Sequence, residues 1–110
     1  MEQRSQLIAQ LNDAFRQTIG PGSQVYITEG IQALSPLEQF EVVNLVKTFN
    51  DFSEGNDPYG EHDFGSFDFK GNRAMWKIDY YDKELELGSE DPADPEKTTR
   101  VLTIMMGWEY

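Results

Sequence analysis

Phe67-Asp68-Phe69-Lys70-Gly71-Asn72-Arg73-Ala74-Met75-Trp76-Lys77-Ile78-Asp79-Tyr80 is the stretch that decides the fold. Apolar and polar residues alternate along it, the period of a half-buried strand. Gly71-Asn72 suits a two-residue hairpin turn with glycine first. The hairpin so predicted pairs Lys70 with Arg73, Phe69 with Ala74, Asp68 with Met75 and Phe67 with Trp76. Phe67, Phe69, Ala74, Trp76, Ile78 and Tyr80 then share one face, and Asp68, Lys70, Arg73, Met75, Lys77 and Asp79 the other. The second face carries both signs of charge, so the strongest acidity lies elsewhere.

Toward the C-terminus, Thr98 to Met106 reads as a strand with Leu102, Ile104 and Met106 on one side and Thr99, Val101, Thr103 and Met105 on the other. Both sides are fairly apolar, which suits a central or covered strand. Toward the N-terminus, residues 3–19 follow helical spacing through Leu7, Ile8, Leu11 and Phe15, with Gln, Asn and Arg between them, and Gly20-Pro21-Gly22 stops the helix. Gln24 to Thr28 is short and β-branched, the signature of a strand. A second helix opens with Ser35 at N-cap, Pro36 at the first helical position and Glu38 completing a capping box. Its residues Leu37, Phe40, Val42, Val43, Leu45, Val46 and Phe49 form a wide apolar stripe. The expected architecture is a single α+β domain over residues 1–110: an antiparallel sheet of three to four strands with two helices packed on one face.

The 110 residues are enough for one core, burying roughly two thirds of the unfolded surface. There is no cysteine, which excludes disulfides, cysteine-ligated zinc and thiol catalysis. The first residues lack a basic and an apolar signal region, and no apolar run reaches the roughly 20 residues of a membrane helix, so a cytoplasmic location is expected. The net charge is −11, and its distribution is uneven. Residues 1–50 hold five acids and three bases, residues 51–97 fourteen acids and five bases, and residues 98–110 one of each. Two loops, residues 50–65 and 82–97, hold most of the excess. Such a field repels nucleic acid and anionic membranes and attracts basic protein surfaces.

Glu61-His62-Asp63 is the one constellation that suggests chemistry. His62 is the only histidine, and adjacent residues of an extended chain point to opposite sides, so at most two of the three converge. A metal site or small enzyme centred on His62, Glu61 and Asp57 would need Asp57 or Glu54 to fold back, and no nucleophile with a recognisable setting accompanies them. Asp51, Glu54, Asp57 and Asp63 are hard oxygen donors without the calcium-loop spacing. Asn56-Asp57-Pro58-Tyr59-Gly60 is built of residues that each favour a turn. Neither a metal nor a cofactor is therefore expected, and no residue is assigned a catalytic role. In the second loop, carboxylates on an extended chain recur about every 6–7 Å, near every second phosphate of a DNA strand; Glu84, Glu86 and Glu90 are expected to form such a row.

Glu54-Gly55-Asn56-Asp57-Pro58-Tyr59-Gly60-Glu61-His62-Asp63-Phe64-Gly65, with Trp76 to Asp82, Asp91 to Pro95 and Thr98 to Met105, resembles the bacterial family of unknown function numbered 3768. The resemblance implies a small protein of the kind frequent on proteobacterial plasmids and other mobile elements, and supplies no catalytic residue. Charge and resemblance together lead to an expected interaction protein. It would bind the basic, nucleic-acid-binding surface of a host defence protein, as an anti-CRISPR or anti-restriction mimic, through Asp57, Glu61, Asp63, Tyr81, Glu84, Glu86, Glu90 and Asp91. The remaining alternatives are the small enzyme or metal module just described and an adaptor for plasmid maintenance.

Overall fold

A computed structural model describes residues 2–53 and 57–110. Glu54, Gly55 and Asn56, which belong to several of the expectations above, lie outside the described residues. The chain is α+β. In order it forms α1 (Glu2–Gln17), β1 (Gln24–Ile27), α2 (Glu29–Gln32), α3 (Pro36–Lys47), β2 (Phe64–Phe69), β3 (Asn72–Tyr81), β4 (Thr99–Met106) and a closing 3-10 turn (Gly107–Glu109).

The four strands lie in the order β1-β4-β3-β2. The β2–β3 and β3–β4 pairs are antiparallel, whereas β1 runs parallel to β4, with Val25 opposite Leu102 and Ile27 opposite Ile104. The all-antiparallel expectation is corrected at that edge. A parallel neighbour needs a long crossover, and the chain from α2 through β3 supplies it. The short helix α2 is also absent from the sequence reading. It follows β1 directly, and Glu109 binds its start: the carboxylate accepts from Thr28 Oγ1 at 2.6 Å, Gly30 N at 2.8 Å and Met106 N at 2.8 Å. The Thr28 bond leads the causes that hold the Glu109 carboxyl below the ordinary glutamate value.

The hairpin turns one residue earlier than expected. Phe69 faces Asn72 and Phe67 faces Ala74, so the central pair is Lys70-Gly71. Both have positive φ, 52° and 88°, which is the type I′ turn whose twist matches the flanking strands. Asp68 Oδ2 accepts from Gly71 N at 3.3 Å. The face assignment survives because the pairing moved by two residues in sum, and side-chain direction has period two. Phe69, Ala74, Trp76 and Ile78 are buried with Leu102, Ile104 and Met106, against Ile31 of α2 and Val42 and Val46 of α3. Gly65 is set by close approach: a Cβ there would strike the Trp76 indole nitrogen, with Phe49 at 2.8 Å behind it.

The capping box on α3 is present as read, with Ser35 Oγ accepting from Glu38 N and Glu38 Oε1 accepting from Ser35 N. The apolar stripe is split, however. Val42 and Val46 face the core, while Leu37 and Phe40 are 69% and 63% exposed. On α1 the inward row is Ile8, Asn12 and Arg16, each almost fully buried, and Leu7 is 44% exposed.

Candidate functional site

The acidic loops are fastened to the core by side chains of α1 and β4. Asn12 lies at the centre. Its Nδ2 donates to the Glu61 carbonyl at 2.9 Å and to the Tyr80 hydroxyl at 2.8 Å, and its Oδ1 accepts from Arg100 Nε at 2.6 Å. The Tyr80 hydroxyl donates onward to Glu61 Oε1 at 3.0 Å. Burial raises the Tyr80 phenol well above its ordinary value, so it remains a donor. Arg100 Nη2 donates to the Pro92 carbonyl, which joins the second acidic loop to the same node. Burial lowers the Arg100 pKa, and Tyr80 and Glu61 pull the other way.

The first acidic segment folds upon itself. Asp57 Oδ1 accepts from His62 N at 3.0 Å, and its side chain is only 5% exposed. His62 takes a left-handed backbone, φ 55°. Its Nδ1 lies 2.9 and 3.0 Å from the Asp13 carboxylate oxygens, its Nε2 lies 3.6 Å from Asp57, and its ring stacks on Phe52 at 3.7 Å. Both ring nitrogens therefore face carboxylates and one ring face is covered, which leaves this histidine a clasp between α1 and the loop. Among the described residues, no group of three or more histidines or carboxylates is placed to hold a metal ion.

Asp63 is different. It is half-buried, and among the described residues it has no cation partner. Burial raises its carboxyl above the ordinary aspartate value, and the charges of Glu61, Asp57 and Asp79 add to the effect. When ionised it therefore destabilises the folded state. Asp63→Asn is expected to be more stable than wild type at pH 7. The gap should narrow as pH falls through the raised folded pKa and close below about pH 4, where the unfolded carboxyl is protonated as well. Denaturant melts of both proteins at pH 7 and pH 4 measure it; equal stability at pH 7 would refute the assignment.

The second acidic segment forms a small hairpin. Asp82 N donates to the Leu87 carbonyl at 2.8 Å, Ser89 N to the Tyr80 carbonyl at 3.0 Å, and Leu85 has φ 59°. The extended two-residue spacing assumed for Glu84, Glu86 and Glu90 does not hold, because the turn curls the chain between Asp82 and Leu87. Asp82 and Asp94 accept backbone amides of Glu86 and Glu96. Asp91 pairs with Arg4 at 2.9 Å, the first cause of its lowered pKa, and also accepts from Ala93 N. Glu90 lies 3.6 Å from Lys97 yet is 79% exposed. Glu84, Glu86 and Glu96 are exposed and have no cation partner among the described residues.

Of the residues nominated from sequence, Asp57, Glu61 and Asp91 are engaged internally. Asp63 lines a concavity with Tyr59, Phe64, Lys77, Asp79 and Tyr110, and Tyr81 lines another with Tyr26, Lys77 and Asp79. Glu84, Glu86 and Glu90 are exposed at the second loop, where Glu84, Glu90 and Leu87 line a concavity of about 470 Å³ together with Lys83 and Lys97. Asn12, Asp13 and Arg16 were missed, since polar residues inside an amphipathic helix read as its solvent face.

A family model described as Protein of unknown function (DUF3768) matches residues 27–109, three quarters of the chain. The chain belongs to the DUF3768 family. No curated protein and no solved structure matches it. The DUF3768 match takes in both acidic loops and all of β2, β3 and β4, and begins after α1. The polar residues that fasten those loops thus come partly from outside the matched segment. Among the described residues no helix is long and apolar enough to cross a membrane.

Proposed function

We propose that this chain is a protein-binding module that docks the Asp82–Lys97 loop onto a basic surface of another protein. The observation that carries this reading is the exposed tip, where Glu84 and Glu86 have no cation partner among the described residues although Lys83 and Lys97 lie in the same loop. Glu84, Glu86 and Glu90 stand beside Leu85 and Leu87, and Leu87 is 71% exposed. Apolar side chains amid carboxylates suit a cationic partner that also offers apolar contact. The first acidic segment contributes less, because Asp57 and Glu61 are engaged within the chain. Docking would block nucleic acid by occupying the basic surface, with no need to copy phosphate spacing. The mobile-element setting suggested by the family resemblance makes a nucleic-acid-binding CRISPR or restriction protein the first partner to test.

The test is affinity capture from a host extract with wild type and with Glu84→Lys/Glu86→Lys/Glu90→Lys. The expected result is a captured protein that the triple variant holds at least about tenfold more weakly. Its binding weakens with salt and is displaced by duplex DNA. Capture that survives both charge reversal and high salt would refute the reading.

A further inference from the structure

The helices cover one face of the sheet; the other carries Tyr26, Met75, Lys77, Asp79, Tyr81 and Thr103 between its strands. A concavity of about 360 Å³ opens at its β2 side, lined by Tyr59, Phe64 and Tyr110 together with Lys77, Asp79 and Asp63. That is the low end of the roughly 300–1,000 Å³ range of ligand sites. Tyr59 and Tyr110 are 76% and 78% exposed, and the Phe64 and Tyr110 rings lie 6.2 Å apart. Lys77 Nζ is 3.1 Å from Asp79 Oδ2. Asp79 takes the one ammonium, and Asp63 is left without a cation partner among the described residues.

We propose that this concavity receives an arginine side chain of a partner protein, its guanidinium paired with Asp63 and stacked against the tyrosine rings. The proposal deepens the docking reading above by naming the residue type recognised. Charge complementarity selects a cation, since the pocket is one positive charge short and the chain is at −11. The aromatic walls select arginine over lysine: a planar guanidinium stacks on rings and bonds a carboxylate through two donors, whereas an ammonium is a compact, strongly hydrated point charge. A desolvated carboxylate repelled by its neighbours gains most from such a guest.

The experiment is an amide-shift NMR titration of the whole chain with acetyl-Gly-Arg-Gly-amide, and with the lysine peptide in parallel. The arginine peptide should shift residues 58–64, 77–79 and 110 and bind about fivefold more tightly than the lysine one. Asp63→Asn should weaken it about tenfold. Glu29→Gln, which removes one exposed charge elsewhere, should leave it unchanged. Tyr59→Ala should abolish the preference for arginine, a test of the aromatic lining that does not depend on the Asp63 variant. Equal binding of the two peptides, shifts confined to residues 84–90, or wild-type binding by Asp63→Asn would overturn the proposal. Failure here with partner capture still dependent on Glu84, Glu86 and Glu90 refutes the arginine site alone; loss of that dependence refutes the docking reading.

Discussion

Asn12→Ala is expected to destabilise the fold by about 3–5 kcal/mol. The substitution orphans three groups at once: the Arg100 Nε–H, the Tyr80 hydroxyl as acceptor and the Glu61 carbonyl. A buried polar group left without its partner costs about 1–3 kcal/mol, more where it is charged. Asn12 is fully buried, so water does not replace it without opening the structure. Against a typical total of about 5–15 kcal/mol the loss is large. Urea unfolding gives the magnitude, and hydrogen exchange gives the location. Protection should fall first in residues 61–63 and 90–93, because Asn12 reaches Glu61 directly and Pro92 through Arg100. A loss below about 1 kcal/mol, or one without that pattern, would show that the node does not hold the loops.

Arg16→Met is the second large effect, again about 3–5 kcal/mol. Methionine keeps much of the stem volume, so the loss reports the guanidinium. Arg16 Nη1 donates to the carbonyls of Val46 at 2.7 Å and Phe49 at 2.9 Å, which closes the C-terminal end of α3. Its Nη2 pairs with Asp13 at 3.0 Å, and the guanidinium lies 4.9 Å from the Trp76 ring and 5.3 Å from that of Phe52. Burial lowers its pKa, opposed by Asp13, yet a guanidinium stays charged. Removing it takes a donor from the Phe49 carbonyl and leaves the Val46 carbonyl at the end of α3 with the Phe49 amide at 3.3 Å. A thermal melt measures the loss, about 4–8 °C for each kcal/mol in a domain this small. A melting temperature within a few degrees of wild type would mean that the α3 carbonyls find other donors.

These two residues mark where the sequence stops being legible. Alternation in β2 and β3 could be read because each strand exchanges its pattern with an immediate neighbour in the chain. The same holds for the α3 capping box, which is satisfied within four residues. Helix α1 was recognisable as a helix, but its rotation was not. Leu7, Ile8, Leu11 and Phe15 point to one stripe, while the buried row is Ile8, Asn12 and Arg16. Asn12 and Arg16 are tolerated inside only because Tyr80, Arg100, Glu61 and the end of α3 meet them there, contacts that span between 30 and 88 positions along the chain. The candidate docking residues divide in the same way. Counting charges finds the acidic loops, but whether a carboxylate is spent internally, as at Asp57, or left over, as at Asp63, depends on what packs beside it.

The sequence by itself determined the α+β class, the hairpin faces, the start of α3 and the location of the acidic excess, because periodicity, capping and composition are local. Tertiary structure alone decided that β1 runs parallel to β4, that α1 turns polar side chains inward, and which carboxylates stay free. Those outcomes rest on hydrogen bonds and desolvation between segments far apart in the chain, and such pairings leave no periodic trace in either partner.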